Sequence, residues 1–297
     1  MASAIKNRYD FVILFDVENG NPNGDPDAGN MPRIDQETGH GLVTDVCLKR
    51  KIRNYVETAY GEQAGYRIYV KENVPLERTN NESLTYLGVK ADKIKDAKKA
   101  DADLDIKIRD FMCQNFFDIR TFGAVMTTFT KASLNCGQVR GPVQISFAKS
   151  IDPITIQEVS ISRVTVSSEK EAAEDKLTML GNKYIVPYAL YRAEGFISAN
   201  LAKKTTGFSD DDLQILWEAL LNMFEVDHSA TRGKMSVRKL IVFKHENELG
   251  KAPSYQLFER VAVRRINPDK PARRYSDYSV DVDKNDLPTG VDCLELR

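Results

Sequence analysis

Histidine is scarce in this sequence and the cysteines are isolated, which excludes several common kinds of site. Only three histidines occur in 297 residues, and none lies in an H-E-x-x-H, G-x-S-x-G or Walker A pattern. The cysteines form no C-x-x-C pair and have no neighbouring histidine that would complete a zinc site: Cys47, Cys113, Cys136 and Cys293. We therefore expect no bound metal and no cofactor, and the sequence gives little support for a catalytic function.

Long apolar runs and an excess of one charge are also missing. No stretch approaches the roughly 18 apolar residues of a membrane span, and Met1–Arg8 lacks the apolar core of a signal peptide. The 42 Lys and Arg nearly balance the 43 Asp and Glu, so a polyanion partner would have to bind a local patch. These observations predict a cytoplasmic protein without membrane contact.

The apolar patterns predict an α+β fold in one domain, residues 1–297. Tyr9–Val17 carries apolar residues on both sides of a strand, as a central strand does. Apolar stripes predict one helix from Thr44 or Asp45 to Tyr60 and a second that begins after Ser209. Further strands are predicted at 67–70, 140–148, 184–201 and 237–243. Helices on one face of an antiparallel sheet are typical of a ferredoxin-like or RNA-recognition core.

Two segments do not fit this core pattern. Residues 151–187 change character several times, which indicates an arm or hairpin inserted between core strands. Residues 90–105 are dense in Lys, Asp and Ala without an apolar stripe, so they predict a surface helix or a mobile insertion.

Asn19–Asn30 is a glycine-rich loop with three interpretations. Its glycines could bring backbone amides close to phosphate. Alternating Asn and Asp residues could bind calcium, although the closing glutamate is missing. The Asn-Gly and Asp-Pro steps could equally form a purely structural turn. The sequence alone leaves these alternatives open.

Cations recur beside glycines in separate parts of the chain. The predicted first helix carries Lys49, Arg50 and Arg53, and the segments 137–141 and 231–234 each combine glycine with a cation. Each cluster alone could be an ordinary solvated surface, but together they favour RNA binding. The C-terminal cations between positions 260 and 274 either extend that surface or balance nearby aspartates.

Several motifs resemble the backbone subunit of CRISPR Cascade complexes, a RAMP-superfamily protein, and most closely its type I-C form. The motifs are Asn19–Asn30, Pro32–Arg33, Gly39–Asn54, Arg120–Gly123 and Arg140–Gln144. The resemblance implies an RNA-recognition palm with a finger or web insertion at about 71–115 and a thumb at about 151–187.

The resemblance also implies a function without catalysis. Several copies would polymerise along one CRISPR RNA together with other Cascade subunits, and each thumb would displace a base at regular intervals. The remaining guide bases would pair with target DNA. The rival hypothesis is a RAMP endoribonuclease that cuts repeat RNA, with His40 as its general base.

The resemblance and the local patterns together nominate RNA-binding residues. The N-terminal loop and first helix supply Asn19, Gly20, Asn21, Lys49, Arg50 and Arg53. The central motif supplies Arg120, Gly137, Arg140 and Gln144, and the later glycine loop supplies Arg232 and Lys234. In the thumb, Arg163 is a further candidate. Met179 and Leu180 could form an apolar wedge between bases, or could simply pack within the arm.

Overall fold

A computed structural model describes residues 3–127, 129, 134–163 and 179–297. Its strands are β1 (Tyr9–Gly20), β2 (Gly24–Asp25), β3 (Met31–Pro32), β4 (His40–Val43), β5 (Gly123–Val125), β6 (Gln138–Arg140), β7 (Val143–Ile145), β8 (Ala148–Pro153), β9 (Gln157–Arg163), β10 (Met179–Ile197), β11 (Lys234–His245), β12 (Val261–Arg265), β13 (Tyr278–Val282) and β14 (Val291–Glu295). Its α-helices are α1 (Asp45–Tyr60), α2 (Leu76–Tyr86), α3 (Ile94–Ala100), α4 (Leu104–Asn115), α5 (Phe117–Phe122), α6 (Ala199–Leu201), α7 (Asp210–Asn222) and α8 (Ser254–Phe258).

The main sheet is antiparallel and has β1 at its centre. The strand order is β14-β11-β1-β10-β8-β4, and β7 and β9 also pair with β10. Phe11 and Phe15 of β1 face one core cluster while Val12 and Leu14 face another, and all four are fully buried. The prediction of a central strand covered on both faces is confirmed.

Helices α1 and α7 cover one face of this sheet. Thr44 caps α1, and Ser209 forms a capping box with Asp212 at the start of α7, so both predicted helix starts are confirmed. Trp217 of α7 packs edge-on against Phe11 at 5.4 Å between ring centroids. The opposite face is covered by α8 and by the hairpin of β12 and β13.

A third hydrophobic cluster lies in the helical lobe, which we define as α2 to α5. Ile94 and Leu104 are buried in this cluster. The segment 90–105 is therefore largely helical, which confirms the surface helix among the two predicted alternatives, but Ile94 and Leu104 dock it on the lobe although the segment has no apolar stripe. The predicted strand at 67–70 is wrong, because the Asp118 carboxylate rather than a strand accepts from the amides of Tyr69 and Val70 at 2.7 and 3.1 Å.

A two-stranded ribbon extends from the sheet. β9 pairs with the first part of β10, from Gln157↔Ile185 to Arg163↔Met179. Most of the β9 side chains are exposed, as an arm requires. Among the residues that the structure describes, no helix combines the length and the apolar surface needed to cross a bilayer.

Candidate nucleic-acid interface

A cleft of about 760 Å³ opens where β1 ends. Three segments that are distant in sequence form most of it, and Phe147 completes the lining: the loop from Asn21 to Arg33, the first turns of α1, and the loop from Asp227 to Arg232. The structure therefore brings together the glycine-rich loop, the basic helix and one of the two later glycine loops, as the sequence predicted.

Glycines allow two of these segments to touch. A Cβ on Gly20 would lie 1.9 Å from the carbonyl oxygen of Arg232, and a Cβ on Gly233 would lie 2.4 Å from that of Glu18. Gly233 also has a positive φ of 64°. The Asn21 amide donates to the Thr231 carbonyl at 2.8 Å. These glycines therefore serve close backbone approach, and Gly20 does not offer an open phosphate cradle.

Asparagine side chains fix the loop to the start of α1. The Asn23 Oδ1 accepts from the backbone N–H and the hydroxyl of Thr44 at 2.9 and 3.0 Å. Asn21 Nδ2 donates to the Asn30 carbonyl at 2.7 Å. Two of the proposed calcium ligands, Asn23 Oδ1 and the Asp25 carboxylate, are thus engaged within the protein, which favours the structural interpretation of the loop. The same contacts direct the positive end of the α1 dipole at the cleft.

Four cations of the described residues line the cleft. Arg50 is exposed and pairs with Glu72 at 2.6 Å, whereas Arg33 pairs with Asp25 at 3.3 Å. Lys51 is buried in an ion pair with Asp227, and the same carboxylate contacts Arg232 at 3.0 Å. Lys51 was not among the residues predicted from the sequence, although its spacing three residues after Leu48 places it on the inward stripe of α1.

Two further predicted residues of α1 face away from the cleft. Lys49 pairs with Asp45 at 3.0 Å, and Arg53 pairs with the buried Asp118 at 2.8 Å. Both cations lie over the ring of Phe122. Arg53 therefore links α1 to the helical lobe, and neither side chain lines the cleft.

Arg120 is interior, contrary to the prediction that it contacts RNA. Its guanidinium forms a two-pronged pair with Asp212 at 2.6 and 2.9 Å and donates to the Cys113 carbonyl at 2.7 Å. This geometry joins α5 to α7 and leaves little of the side chain exposed.

The remaining predicted residues lie outside the cleft. Gly137 is buried and accepts from the Met126 amide at 2.7 Å, whereas Arg140 and Gln144 are exposed on β6 and β7. Asn19 is exposed, and Lys234 is exposed beside Glu18 at 3.5 Å. The backbones of Arg163, Met179 and Leu180 lie in the ribbon, but their side chains are outside the described part of the structure, as are residues 177 and 178. Their predicted roles remain predictions.

The cleft is also lined by apolar side chains and a thiol that were not predicted from the sequence. Phe147 and Val46 line it with relative exposures of 55% and 66%, which is high for such residues. Burial raises the pKa of the Cys47 thiol, an effect that Lys51 opposes, so this thiol is not primed as a nucleophile. His40 does not line the cleft; its Nδ1 lies 2.7 Å from the Ser150 carbonyl oxygen.

Comparison with known proteins identifies the family of this chain. The family model for CRISPR-associated protein Cas7 matches residues 7–283. The chain belongs to the Cas7 family. CRISPR-associated protein Cas7 of Haloferax volcanii is 27% identical over 261 residues, which cover 82% of this chain and 72% of that relative. The Cas7 match includes all three segments that form the cleft.

One solved structure is similar to this chain at the level of the fold. A chain of a CRISPR RNA-guided surveillance complex in a pre-nicking state has a TM-score of 0.52 and 14% identity, with 80% of this chain and 78% of that chain covered. A chain of a second CRISPR RNA-guided surveillance complex is similar over 80% of this chain and 68% of its own, with a TM-score of 0.46 and 15% identity.

Proposed function

We propose that this Cas7-family chain is a non-catalytic backbone subunit of a type I-C Cascade complex that holds CRISPR RNA in the cleft. One observation carries the proposal: three distant segments converge on one groove lined by cations and by the start of α1. Contacts of this kind grip phosphates without reading bases. The guide bases then stay available to pair with target DNA.

The architecture supports the palm, thumb and finger or web that this role requires. The strand order β11-β1-β10-β8, with α1 and α7 on one face, supports an RNA-recognition palm. The ribbon within 151–187 is the proposed thumb, and 71–115 the proposed finger or web, although its buried cluster extends to Val139. Further copies of the chain and other Cascade subunits are the proposed partners along the RNA.

A footprinting experiment tests this function against the rival endoribonuclease. The protein is assembled on precursor RNA, the RNA is checked for cuts, and nuclease is then added. We expect intact RNA followed by a regular series of protected segments, because a repeating protomer covers a fixed length. The His40→Ala variant should give the same pattern. If wild type cuts the precursor and the variant does not, the chain is an endoribonuclease and the non-catalytic proposal is wrong.

Phe147 offers a second test of the cleft. We propose that its exposed ring stacks on a base or ribose of the bound strand, so Phe147→Ala should weaken RNA binding about tenfold. Phe147→Trp should bind like wild type, and RNA should quench its fluorescence, since the native Trp217 is buried. Tyr86→Ala, which removes an exposed aromatic of the helical lobe, is the matched control. Equal affinities of all the variants would show that the ring has no role in RNA binding.

A further inference from the structure

The loop between β12 and β13 is the most cationic exposed segment outside the cleft. We call residues 264–274, which comprise the last two residues of β12 and most of the connection to β13, the basic loop. It carries five cations and a single carboxylate, in a chain whose charges otherwise nearly cancel. The cations are Arg264, Arg265, Lys270, Arg273 and Arg274. Such a local excess on a nearly neutral protein marks a binding surface for an anion.

Three of these cations have no carboxylate partner among the described residues: Arg264, Lys270 and Arg273. Arg274 pairs with Asp277 at 3.4 Å and is largely exposed, and Arg265 lies 3.9 Å from Asp152. The sequence left open whether the C-terminal cations extend a binding surface or balance nearby aspartates. Arg260, which pairs with Asp283, follows the second alternative, but most of the basic loop does not.

The basic loop has a defined shape before any partner binds. Two prolines restrict its backbone, and Arg265 donates to the Pro268 carbonyl at 2.8 Å. The Asp277 carboxylate accepts from the amides of Arg273 and Arg274 at 2.8 and 3.2 Å. The basic loop lines a cavity of about 500 Å³ whose charged groups are Lys270, Arg273, Arg274 and this already engaged carboxylate. The unsatisfied groups are therefore donors, as a phosphate requires.

The basic loop and the cleft lie at the same end of the sheet but on opposite faces. The last residue of β1, Gly20, pairs with Val186, so the ribbon leaves the sheet beside the cleft. On the other face, Arg265 and Arg273 line a cavity with Pro187, which follows Val186 in β10. A strand held in the cleft therefore does not occupy the basic loop.

We propose that the basic loop binds the phosphate backbone of a second nucleic-acid strand, independently of its base sequence and outside the guide cleft. A nucleic acid fits better than an acidic protein, because Ile266 is the one large apolar side chain of the basic loop. The centre of a protein interface normally buries more apolar surface than one such residue provides. The inference rests on the proposed function only in assigning the cleft to the guide.

The test compares two double variants of the full-length chain. Lys270→Glu with Arg273→Glu alters the basic loop, and Lys203→Glu with Lys204→Glu makes the same charge change at an exposed site before α7. Each protein is first loaded with unlabelled RNA. A fluorescent single-stranded DNA without complementarity to that RNA is then titrated, and its anisotropy is measured at several salt concentrations.

We expect the basic-loop variant to load RNA normally and to bind the DNA about tenfold more weakly, with a salt slope lower by about 1.4 for two lost phosphate contacts. The control should behave like wild type. Equal loss in both variants, unchanged DNA binding, or loss of RNA loading with the basic-loop variant would each overturn the proposal. Loss of self-association alone would identify a protein contact instead. If wild type binds no RNA, the proposed function fails, while DNA binding to unloaded protein still tests the basic loop.

Discussion

Asp227→Ala is expected to lower the free energy of unfolding by about 3–5 kcal/mol, the largest stability effect that the cleft offers. The Lys51 ammonium and the Asp227 carboxylate are both almost completely buried. Removing the carboxylate leaves a buried cation without its partner, and such a charge cannot recover its lost hydration. The loop loses its ion pair with Lys51 of α1, and Arg232 loses the same carboxylate while keeping its bond to the Asp227 carbonyl at 3.1 Å.

Urea unfolding followed by circular dichroism measures this loss. Asp45→Ala is the matched control, because its pair with Lys49 is partly exposed and should be worth at most about 1 kcal/mol. Lys51→Met combined with Asp227→Leu should recover most of the stability. Two apolar side chains of similar size carry no buried charge, so neither needs a partner. Equal midpoints for Asp227→Ala and Asp45→Ala would mean that the buried pair contributes little.

The elements that the sequence predicted correctly are those whose signals are local. Tyr9–Val17 has apolar residues on both faces and lies at the centre of the sheet. Thr44 and Ser209 cap their helices as short-range capping chemistry requires. The docking of the segment 90–105 was less predictable, because Ile94 and Leu104 are too few and too far apart to form a stripe. Their burial depends on a cluster that distant residues complete.

The positions of individual cations could not be predicted, because their partners are distant in sequence. Arg120 meets Asp212, Arg53 meets Asp118, and Lys51 meets Asp227 only after the helices have packed. A cation beside a glycine in sequence therefore does not reveal whether it faces solvent or a buried carboxylate. What could be predicted was the convergence of loop and helix, because both flank the same strand-to-helix connection.

Arg50→Gln combined with Arg232→Gln is expected to weaken RNA binding about a hundredfold near 0.1 M salt. Both guanidinium groups line the cleft, and each charge-assisted contact with phosphate contributes about 1.5–3 kcal/mol. The glutamine side chains retain polarity and add no negative charge beside Asp227. The loss should be similar for RNAs of any sequence, because phosphate contacts read no bases. Fluorescence anisotropy with unrelated RNA sequences measures both effects.

The salt dependence and a matched control distinguish the loss of specific phosphate contacts from a general loss of positive charge. Two lost contacts should reduce the slope of log affinity against log salt by about 1.4. Arg67→Gln with Arg109→Gln removes two ion-paired arginines of equal charge outside the cleft and should leave RNA affinity unchanged. If this control weakens binding as much as the cleft variant does, RNA affinity depends on the overall charge of the chain rather than on the cleft. If the cleft variant binds RNA like wild type, the RNA lies on another surface. A groove that holds the strand by its phosphates must lose RNA affinity when two of its four cations are removed.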